Sequence, residues 1–551
     1  MTAAAPTQRQ LWLLLFAALI IWCGNLEYRS LALSDEGRYS EIPRYMVASG
    51  DWLTPRLDGI KYFEKPPLQY WTTALAYEAF GMHQWTARLW PALTGMLGVL
   101  TVFYAGRRLF GTDCGLYAAL VLGSSLLYAL IAHINTLDMG LTFFLGLGLA
   151  AMLIAFDSRT AASSSRRWMY AAWAAFAGAT LSKGLIGIVL PAAAVILYML
   201  FKRDFSLWRK LHPVGGGVLF LLLCAPWFVA ISIANPEFPW FFFVHEHLQR
   251  YTTTLHNRYQ PWYYFIPVLL AGMLPWTVTL LDTLFYARRQ TAAGFDHTLF
   301  LLLWSGFVFV FFSLSDSKLV SYILPMLPAL ALLIALRLPA AGARAFTWQM
   351  SAIALLALLG LFAAPQLVRL ANTAVPAELY RAQVPWLIAA AAVLLAGCIA
   401  AIFYGRRNRL RPAVIVAAFA SLLAGQLALA SYDELAPLHS AHNIAEKIKP
   451  YLRPGAPFYS VATYDQTLPF YIDRTVTPVA FQDELAFGLR QEPALGIPDL
   501  AEFEHRWHSN AYALAIMEPD MFERLRQDGL PMREIARDAE RVVVVTTGEE
   551  H

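Results

Sequence analysis

Long runs of apolar residues restrict the fold of this chain more than any other feature. A helix of about 20 apolar residues is long enough to cross the ~30 Å hydrocarbon core of a bilayer. Such runs recur along the first 431 of the 551 residues. We therefore predict thirteen membrane-spanning helices, at residues 10–26, 86–105, 114–132, 138–156, 168–182, 184–201, 214–234, 262–283, 297–314, 319–336, 348–367, 386–404 and 412–431.

Charged residues are concentrated in the last fifth of the chain. They make up 15% of all residues, where a soluble globular protein has about 25%. Residues 432–551 hold 31 of the 80 charged side chains, which is the charge content of a soluble domain. The composition excludes a single soluble fold, a disordered chain and a fibrous repeat. It predicts a polytopic α-helical membrane domain, residues 1–431, followed by a small water-facing domain, residues 432–551.

The segment 432–551 has the sequence pattern of a small α/β domain. Its apolar or alternating runs and its charged helical patterns predict strands at 457–463, 475–481, 511–517 and 541–547, and helices at 439–451, 498–508 and 519–526. The segment carries 20 acidic and 11 basic residues, and an acidic soluble domain argues against a nucleic-acid partner. Because no phosphate-binding glycine pattern is present, we expect no bound nucleotide either.

Basic residues alternate between the loops of the predicted membrane domain. Pairs such as Arg107-Arg108, Arg166-Arg167 and Lys202-Arg203 follow even-numbered spans, whereas two short loops on the other side hold only Lys183 and Lys318. Cytoplasmic loops of membrane proteins carry an excess of lysine and arginine. The asymmetry predicts a cytoplasmic N-terminus and puts the C-terminal domain on the outer side of the membrane.

The first outer loop, residues 27–85, is the longest and the most polar. Tyr39, Ile42 and Met46 recur at helical spacing, which predicts an amphipathic helix on the membrane surface that ends at Gly50. A second helix is predicted over residues 68–80. The loop therefore has enough structure to hold side chains in fixed positions above the bilayer.

Acidic residues mark the start of two predicted helices at the outer face. Asp35 and Glu36 begin the first helix of the outer loop, and Asp138 opens the fourth span. An acidic residue at such a position often serves only as a helix cap or a partner of the helix dipole. Polar groups clustered beside a membrane are costly, however, and this favours a functional site for the same residues.

Two further outer segments carry residues that suit phosphate or metal binding. Glu64 and Lys65 precede Pro66-Pro67, which holds the backbone extended and fixes where the two side chains point. The loop after span seven contains His245 and His247, two residues apart, and then Arg250. Two such histidines reach one metal ion on an extended backbone, and arginine grips phosphate with two hydrogen bonds. The simplest alternative for Glu64 and Lys65 is an exposed turn. The pair His245 and His247 is by itself a weak motif for metal binding.

The last outer cluster is the segment SDSK, residues 315–318, followed by Tyr322. A polar hairpin between two spans is its simplest interpretation. Together with the other clusters it gives the outer face carboxylates and cations beside an apolar bundle. This combination suits a phosphorylated lipid, whose headgroup binds the cations while its chain lies among the helices.

Four motifs in these clusters resemble a known family. They are DEGRYSEIPR at 35–44, GDWLTP at 50–55, YFEKPP at 62–67, and SDSKL at 315–319 with YILP at 322–325. The chain resembles the GT-C glycosyltransferases that use polyprenyl-phosphate sugars. Within that class the motifs are similar to those of the bacterial aminoarabinose transferases, glycosyltransferase family 83, which are related to protein O-mannosyltransferases. The resemblance covers the membrane domain and implies a GT-C fold of about thirteen helices with a small periplasmic α/β domain.

The resemblance also implies a reaction. Members of the family transfer 4-amino-4-deoxy-L-arabinose from undecaprenyl phosphate to a phosphate of lipid A, with inversion, at the periplasmic face of the bacterial inner membrane. The expected partners are the lipid-linked sugar donor, lipid A and the bilayer. Two alternatives stay open from the residues alone: a transferase that modifies protein or another glycan, and a transporter of lipid-linked sugars without enzymatic activity.

The resemblance implies roles for individual residues as well. Asp35 and Asp138 are expected to be catalytic, with Asp35 positioning the acceptor or the amino group of the donor sugar. Lys65 and Arg250 are expected to bind the leaving phosphate. The remaining predicted substrate-binding residues are Glu36, Tyr39, Tyr62, Lys318 and Tyr322. Glu64 and His245 are predicted to share a divalent metal ion such as zinc.

Overall fold

The structure, a computed structural model, describes residues 7–249, 260–286 and 294–547. The described part before residue 431 is mainly helical. Its α-helices are α1 (Gln8–Cys23), α2 (Asp35–Ser49), α3 (Leu68–Phe80), α4 (Gln84–Phe110), α5 (Thr112–Ser124), α6 (Leu126–Ile131), α7 (Leu137–Phe156), α8 (Ala162–Lys183), α9 (Ile186–Lys202), α10 (Leu207–Lys210), α11 (Pro213–Ala234), α12 (Phe265–Gly272), α13 (Thr277–Tyr286), α14 (His297–Leu314), α15 (Leu327–Ala363), α16 (Ala377–Arg406) and α17 (Leu410–Ala430). A π-helix (Trp240–Gln249) and 3-10 helices (Val320–Met326 and Ala364–Leu370) complete the set.

Each of the thirteen predicted spans coincides with helix. Among the described residues, seven helices are long and apolar enough to cross a bilayer, or eight if one bent pair counts as a single span. Two further helices are apolar but short, since α1 has 16 residues and α9 has 17. The helical, multi-pass character is confirmed, and the number of thirteen crossings stays a prediction.

Two segments of the membrane domain are bent. The first is residues 262–283, and the second is the connection between the spans predicted at 319–336 and 348–367. Residues 262–283, predicted as one span, form a broken helix pair, because α12 and α13 meet at 112°. Pro275 stands in this break, and proline has no N–H to donate to the preceding turn. In α15 the bend falls at Gly342, whose φ of 79° suits glycine. The element α15 is thus two helical segments joined at this kink, and the kink lies between the two spans predicted at 319–336 and 348–367.

The helices of the first outer loop begin and end where the sequence predicts. Gly50 ends α2 in the left-handed conformation, with φ 72°, and its N–H donates to the carbonyl of Met46 at 3.0 Å. The second predicted helix coincides with α3. Between them, strands β1 (Arg56–Leu57) and β2 (Ile60–Lys61) form a short antiparallel hairpin.

Helix α2 is covered by protein, and its position at the membrane surface stays a prediction. Every residue from Glu36 to Arg44 is buried, although the segment is rich in charge. The C-terminal domain covers this helix, and the contact is close. A Cβ atom added to Gly37 would lie 2.6 Å from the backbone carbon of Gln466. The polar face that we interpreted as solvated therefore packs against a second domain.

A five-stranded sheet forms the centre of the C-terminal domain. Its strands are β3 (Phe458–Val461), β4 (Thr477–Val479), β5 (Leu514–Met517), β6 (Met532–Arg537) and β7 (Val542–Thr546), in the order β4-β3-β5-β7-β6. The first three strands of this order are parallel, and β7 is antiparallel to both of its neighbours. The four predicted strands are confirmed. Strand β6 was missed because it lies at the sheet edge, where its half-exposed polar residues do not form an apolar pattern.

Six short helices surround the sheet: α18 (Ala436–His439), α19 (His442–Ile448), α20 (Leu468–Ile472), α21 (Ala486–Gln491), α22 (Leu500–Ser509) and α23 (Pro519–Gln527). The domain shares a core with the first outer loop, in which Tyr39 and Ile42 of α2 pack with Phe458 of β3. Arg56 of the β1–β2 hairpin makes two hydrogen bonds to the carboxylate of Glu492, at 2.8 and 3.0 Å. Apolar packing and ion pairs thus fix the C-terminal domain onto the loop that carries the predicted site.

Candidate active site

A cavity of about 360 Å³ lies where the first outer loop meets the membrane helices. Four charged residues line it: Lys65, Asp138, Lys183 and Glu246. The rest of the wall is mostly apolar, with Leu141, Leu185, Ile186, Val189, Phe311 and Phe312. Apolar walls with a few convergent charged groups are the usual features of a ligand site. Here the combination suits an amphiphile with a charged headgroup.

Asp138 and Lys183 form an ion pair at this cavity. Asp138 lies in the first turn of α7 and Lys183 in the last turn of α8, so each helix dipole favours the charge it carries. The ammonium of Lys183 is 2.5 Å from a carboxylate oxygen of Asp138 and 4.9 Å from the centre of the Tyr322 ring. The predicted residues Asp138 and Tyr322 therefore both reach the cavity. Lys183 was not predicted as a site residue, although its isolation in an otherwise uncharged outer loop was an available signal.

Lys65 is held between two carboxylates at the same cavity. Its ammonium lies 3.2 Å from Glu246 and 3.8 Å from Glu64, and it donates to the backbone carbonyl of Glu64 at 2.9 Å. Glu246 is a site residue that sequence reasoning missed, because it contacts Lys65 across 181 positions of the chain. Arg250, the other predicted phosphate ligand, lies outside the described residues.

His245 belongs to the π-helix Trp240–Gln249, whereas two histidines at i and i+2 reach one metal ion easily only on an extended backbone. π-Helical turns are rare and occur frequently at functional sites. The Nδ1 atom of His245 is buried without a hydrogen-bond partner and lies 3.7 Å from a carboxylate oxygen of Glu246. A free ring nitrogen beside a carboxylate has the chemistry of a metal ligand.

The described residues do not by themselves compose a metal site. No group of three or more histidine, cysteine, aspartate or glutamate side chains with metal-ligand spacing occurs among them. In addition, the ammonium of Lys65 stands between Glu64 and Glu246, where a second cation would be repelled. The pairing of Glu64 with His245 around a metal ion stays a prediction, and no chemical step below depends on it.

Asp35 lies in a second group of charges, at the contact between α2 and the C-terminal domain. Arg38 donates to one oxygen of Asp35 at 2.9 Å, and its other terminal nitrogen lies 2.6 Å from Glu484. Gln466 donates to the second oxygen of Glu484. The side chain of Asp35 is 34% exposed, so its other oxygen stays accessible to a ligand. Arg38 and Glu484 were missed because they are 446 residues apart.

Three tyrosines surround this group. The guanidinium of Arg38 lies 5.8 Å from the ring centres of both Tyr39 and Tyr62. The hydroxyls of Tyr62 and Tyr70 are buried, and neither has a hydrogen-bond partner. Burial raises the pKa of Tyr62 and that of Tyr70 well above the usual value, so both keep their proton. Buried hydroxyls without a protein partner are available to a polar ligand or to water.

Glu36 has a different setting from the one predicted. Its carboxylate accepts from Arg88 at 2.7 and 2.9 Å and from the backbone N–H of Asn135 at 3.0 Å, and Arg29 lies 3.8 Å away. The side chain is 2% exposed. With its hydrogen-bonding capacity used inside the protein, Glu36 holds helices together and does not face the cavity, so the predicted contact with substrate is corrected.

Lys318 is also corrected from a substrate contact to a structural group. Its ammonium donates to the backbone carbonyl of Gln260 at 2.8 Å and to that of Ser315. The side chain is almost fully buried, and burial lowers the pKa of Lys318. Lys318 therefore closes the outer hairpin and joins it to the segment before α12.

The fold and the cavity together define a class of protein. A polytopic helical domain carries a charged cavity at one membrane face, and an α/β domain covers the loop that completes it. This is the architecture of a GT-C membrane glycosyltransferase. Two family descriptions match the sequence directly: Aminoarabinose transferase C-terminal domain over residues 444–546, and Dolichyl-phosphate-mannose-protein mannosyltransferase over residues 64–229.

Comparison with individual relatives identifies the family within this class. The chain is 39% identical to ArnT from Cupriavidus metallidurans, whose crystal structure with bound undecaprenyl phosphate superimposes with a TM-score of 0.94 over 99% of this chain and 100% of that one. It is 35% identical over 327 residues to undecaprenyl phosphate-alpha-4-amino-4-deoxy-L-arabinose arabinosyl transferase 1 of Pseudomonas fluorescens. The corresponding transferase of Pseudomonas aeruginosa is 34% identical over 334 residues. These two alignments span 58% and 59% of this chain and the same shares of the curated relatives. The chain belongs to the aminoarabinose transferase family, ArnT.

Proposed function

We propose that the protein transfers 4-amino-4-deoxy-L-arabinose from undecaprenyl phosphate to a phosphate group of lipid A. The observation that carries the proposal is the cavity that joins apolar walls to the ammonium groups of Lys65 and Lys183. The likeness to an ArnT structure with bound undecaprenyl phosphate, over the whole length of both chains, supports the same ligand chemistry. The names of the sequence relatives support the identity of the sugar.

The donor binds with its two chemical parts in different surroundings. Its polyprenyl chain lies against the apolar wall between α9 and α14, and its phosphate lies near Lys65. A charge-assisted hydrogen bond of this kind contributes about 1.5–3 kcal/mol. Because Lys65 is held by two carboxylates in the described structure, phosphate binding exchanges one anionic partner for another. Arg250 is the second proposed phosphate ligand.

In the reaction a phosphate oxygen of lipid A attacks the anomeric carbon of the sugar. The bond from this carbon to the donor phosphate oxygen breaks, and undecaprenyl phosphate leaves with the electron pair. Negative charge grows on the leaving phosphate in the transition state, where a fixed cation is most effective. The acceptor phosphate is already an anion, so the step needs no strong general base.

Asp35 positions a reacting partner. Asp35 is paired with Arg38, which lies beside Tyr39 and Tyr62, and a carboxylate attracts the ammonium group of an amino sugar. The hydroxyls of Tyr62 and Tyr70 supply donors for the sugar oxygens. Holding both reactants in a fixed geometry converts an encounter of two molecules into a reaction within one complex, which is a large source of catalysis.

The decisive experiment is mass spectrometry of lipid A from bacteria that lack their own aminoarabinose transferase but make the donor. With this gene we expect the mass increase of one aminoarabinose, and without it none. Cells that express the Lys65→Ala variant at the same level are the control. Unmodified lipid A in cells with confirmed donor and folded wild-type protein would refute the proposal. Modification of a protein or another glycan instead would support the related transferase activity.

We propose further that the protein lies in the bacterial inner membrane with its cavity and C-terminal domain in the periplasm. The excess of arginine and lysine at the opposite end of the helices supports this orientation. A reporter that is active only in the periplasm, fused after Tyr432, is expected to be active. The same reporter fused after Arg203 is the control and is expected to be inactive. The reverse pattern would overturn the orientation.

A metal ion at Glu64 and His245 is a separate proposal. The buried, unpartnered Nδ1 atom of His245 supports it. Metal analysis of the purified protein with undecaprenyl phosphate bound, compared with the Glu64→Gln and His245→Ala variants, provides the test. We expect about one divalent ion per wild-type chain and a loss in both variants. Equal metal content in all three proteins would rule out this site.

A further inference from the structure

Helix α1 is tightly packed at one end only. Trp22, near its outer end, is the helix's buried residue and donates from its indole N–H to the carbonyl of Ala92 at 3.0 Å. The carbonyl of Trp22 in turn lies 2.6 Å from the ring of His133. Before Trp22 every described residue of the helix is exposed or half-buried. Toward its other end the helix packs less closely, with Leu15 half-buried against the core.

The gap beside α1 is a groove of about 530 Å³. Its walls come from α1, α4, α5 and α17, and they are apolar for most of their length. The groove extends from Gln8 to Trp22, which corresponds to about 21 Å at 1.5 Å per residue. One leaflet of the hydrocarbon core is about 15 Å thick, so the groove is long enough for a lipid acyl chain.

The mouth of the groove carries unpaired positive charge. Arg107 lines it, and Arg108 and Arg9 are adjacent in sequence to lining residues. Among the described residues, no carboxylate oxygen lies within 4.0 Å of any of these three guanidinium groups. Arg411, at the same end of the bundle, is by contrast paired with Asp113 at 2.8 Å. The mouth therefore has an excess of cations that the protein itself does not neutralise.

We propose that this groove binds one anionic phospholipid, with an acyl chain along α1 and the phosphate at Arg107 and Arg108. The orientation proposed above puts the mouth at the cytoplasmic leaflet, whose lipids are anionic and attract basic residues. The unpaired guanidinium groups at the mouth favour an anionic lipid over an apolar helix from a second copy of the chain.

The test is native mass spectrometry of the full-length protein in mild detergent, titrated with phosphatidylglycerol or with phosphatidylcholine of the same acyl chains. We expect wild type to bind one phosphatidylglycerol about tenfold more tightly than phosphatidylcholine, which corresponds to about 1.4 kcal/mol. The double variant Arg107→Gln/Arg108→Gln is expected to lose this preference. Ala119→Phe, which fills the groove from α5, is expected to abolish the tight binding of both lipids.

Matched controls distinguish the groove from the general surface. Arg166 and Arg167 are another exposed arginine pair at the same end of the bundle, and Ala171 is an exposed alanine on α8. Arg166→Gln/Arg167→Gln and Ala171→Phe are expected to bind lipid as wild type does. Ala18→Phe fills the same groove from α1 and replaces Ala119→Phe if that variant fails to elute as a folded protein.

Two results would overturn the proposal. In the first, lipids bind only non-specifically around the protein, so that the groove-filling variant and its control bind both lipids equally. In the second, wild type forms a dimer without bound lipid, and a groove-filling variant is monomeric. The experiment measures lipid binding only, so its outcome does not depend on whether the proposed transfer reaction occurs.

Discussion

Asp35 and Glu36 are neighbours at the start of α2, yet they belong to two differently built regions. The region around Glu36 is closed: two arginines and backbone N–H groups satisfy its carboxylate, and the side chain is 2% exposed. The region around Asp35 is open: one oxygen accepts from Arg38, and the side chain is 34% exposed. Successive residues of a helix point about 100° apart, so adjacent residues necessarily face different partners.

The difference shows how to separate structural from functional charge in this protein. A buried charge with a complete set of partners stabilises the fold, and removing one partner leaves another uncompensated. A charge with spare hydrogen-bonding capacity, next to buried hydroxyls without partners, is completed by a ligand. By this criterion the residues around Asp35 form part of the proposed active site. The residues around Glu36 hold the structure beneath that site together.

The largest expected effect comes from breaking the closed region. Glu36→Gln leaves the guanidinium groups of Arg88 and Arg29 buried without a compensating charge, which typically costs about 3–5 kcal/mol. We expect little folded protein and a strongly lowered melting temperature, measured by intrinsic fluorescence in detergent. A melting temperature equal to that of wild type would show that the region is not structural.

The same ion pair gives a dependence on pH. Burial alone would raise the pKa of Glu36, but Arg88 and Arg29 outweigh it and bring the pKa from 4.5 to about 2. A lowered pKa in the folded state stabilises the protein fully above about pH 4.5 and progressively less as the pH falls toward 2. Melting temperatures of wild type and Glu36→Gln should therefore converge over this range and differ by a constant amount between pH 6 and 8.

Next in size is the expected effect of neutralising the open carboxylate. Asp35→Asn keeps a hydrogen-bond acceptor for Arg38 but loses the negative charge, so we expect a normal melting temperature and a transfer rate about 100-fold lower, or about 2.7 kcal/mol. Asp51→Asn is the control, because Asp51 caps two backbone N–H groups of the same loop and asparagine caps equally well. Comparable rates for the two variants would remove Asp35 from the site.

A smaller effect is expected for the cation of the cavity. Lys65→Ala should lower turnover roughly tenfold to a hundredfold, about 1.4–2.7 kcal/mol, because a phosphate contact is lost. Lys61 is a matched lysine in the same loop, paired with Glu237 at 2.7 Å and outside the cavity. Lys61→Ala should turn over donor at nearly the wild-type rate in an assay with purified lipid-linked sugar. Equal losses would mean that the loop, and not the cavity, is disturbed.

The smallest expected effect tests the link between Asp35 and the C-terminal domain. Glu484 contacts Arg38, which holds Asp35, whereas Glu492 contacts Arg56 away from that group. Glu484→Gln should lower kcat about fivefold to tenfold, near 1 kcal/mol, with little change in stability. Glu492→Gln should leave kcat unchanged. If both variants lose activity in proportion to their loss of stability, then the two ion pairs only attach the C-terminal domain to the first outer loop.

Much of this arrangement was predictable from local sequence patterns. Helical spacing and a terminal glycine defined α2, and the outer positions of Lys65, Asp138 and Tyr322 followed from the apolar runs around them. The partners of these residues were not predictable in the same way. Lys183 contacts Asp138 across 45 residues, Glu246 contacts Lys65 across 181, and Glu484 contacts Arg38 across 446. A single sequence contains no information about such contacts.

The errors have a common physical cause as well. Glu36 and Lys318 were assigned to the site by the family resemblance, and the cost of charged residues beside a membrane favoured the same assignment for Glu36. Both are instead satisfied within the protein, one by arginines and the other by backbone carbonyls. The cover over α2 was not predictable for a related reason: amphipathic spacing reveals that a helix has two faces, but not whether water or another domain covers the polar one.

The contact of Gly37 with the backbone of Gln466 also sets an order of events during biosynthesis. Ribosomes add about 5–20 residues per second, so Gln466 emerges roughly 20–90 s after Gly37. During that interval the start of α2 is already made, while the surface that covers it does not yet exist. The charged residues of α2 must wait, exposed or held by other proteins, until the C-terminal domain reaches the same side of the membrane. A chain that stalls between residues 431 and 466 therefore has every predicted transmembrane segment but lacks the surface that covers α2.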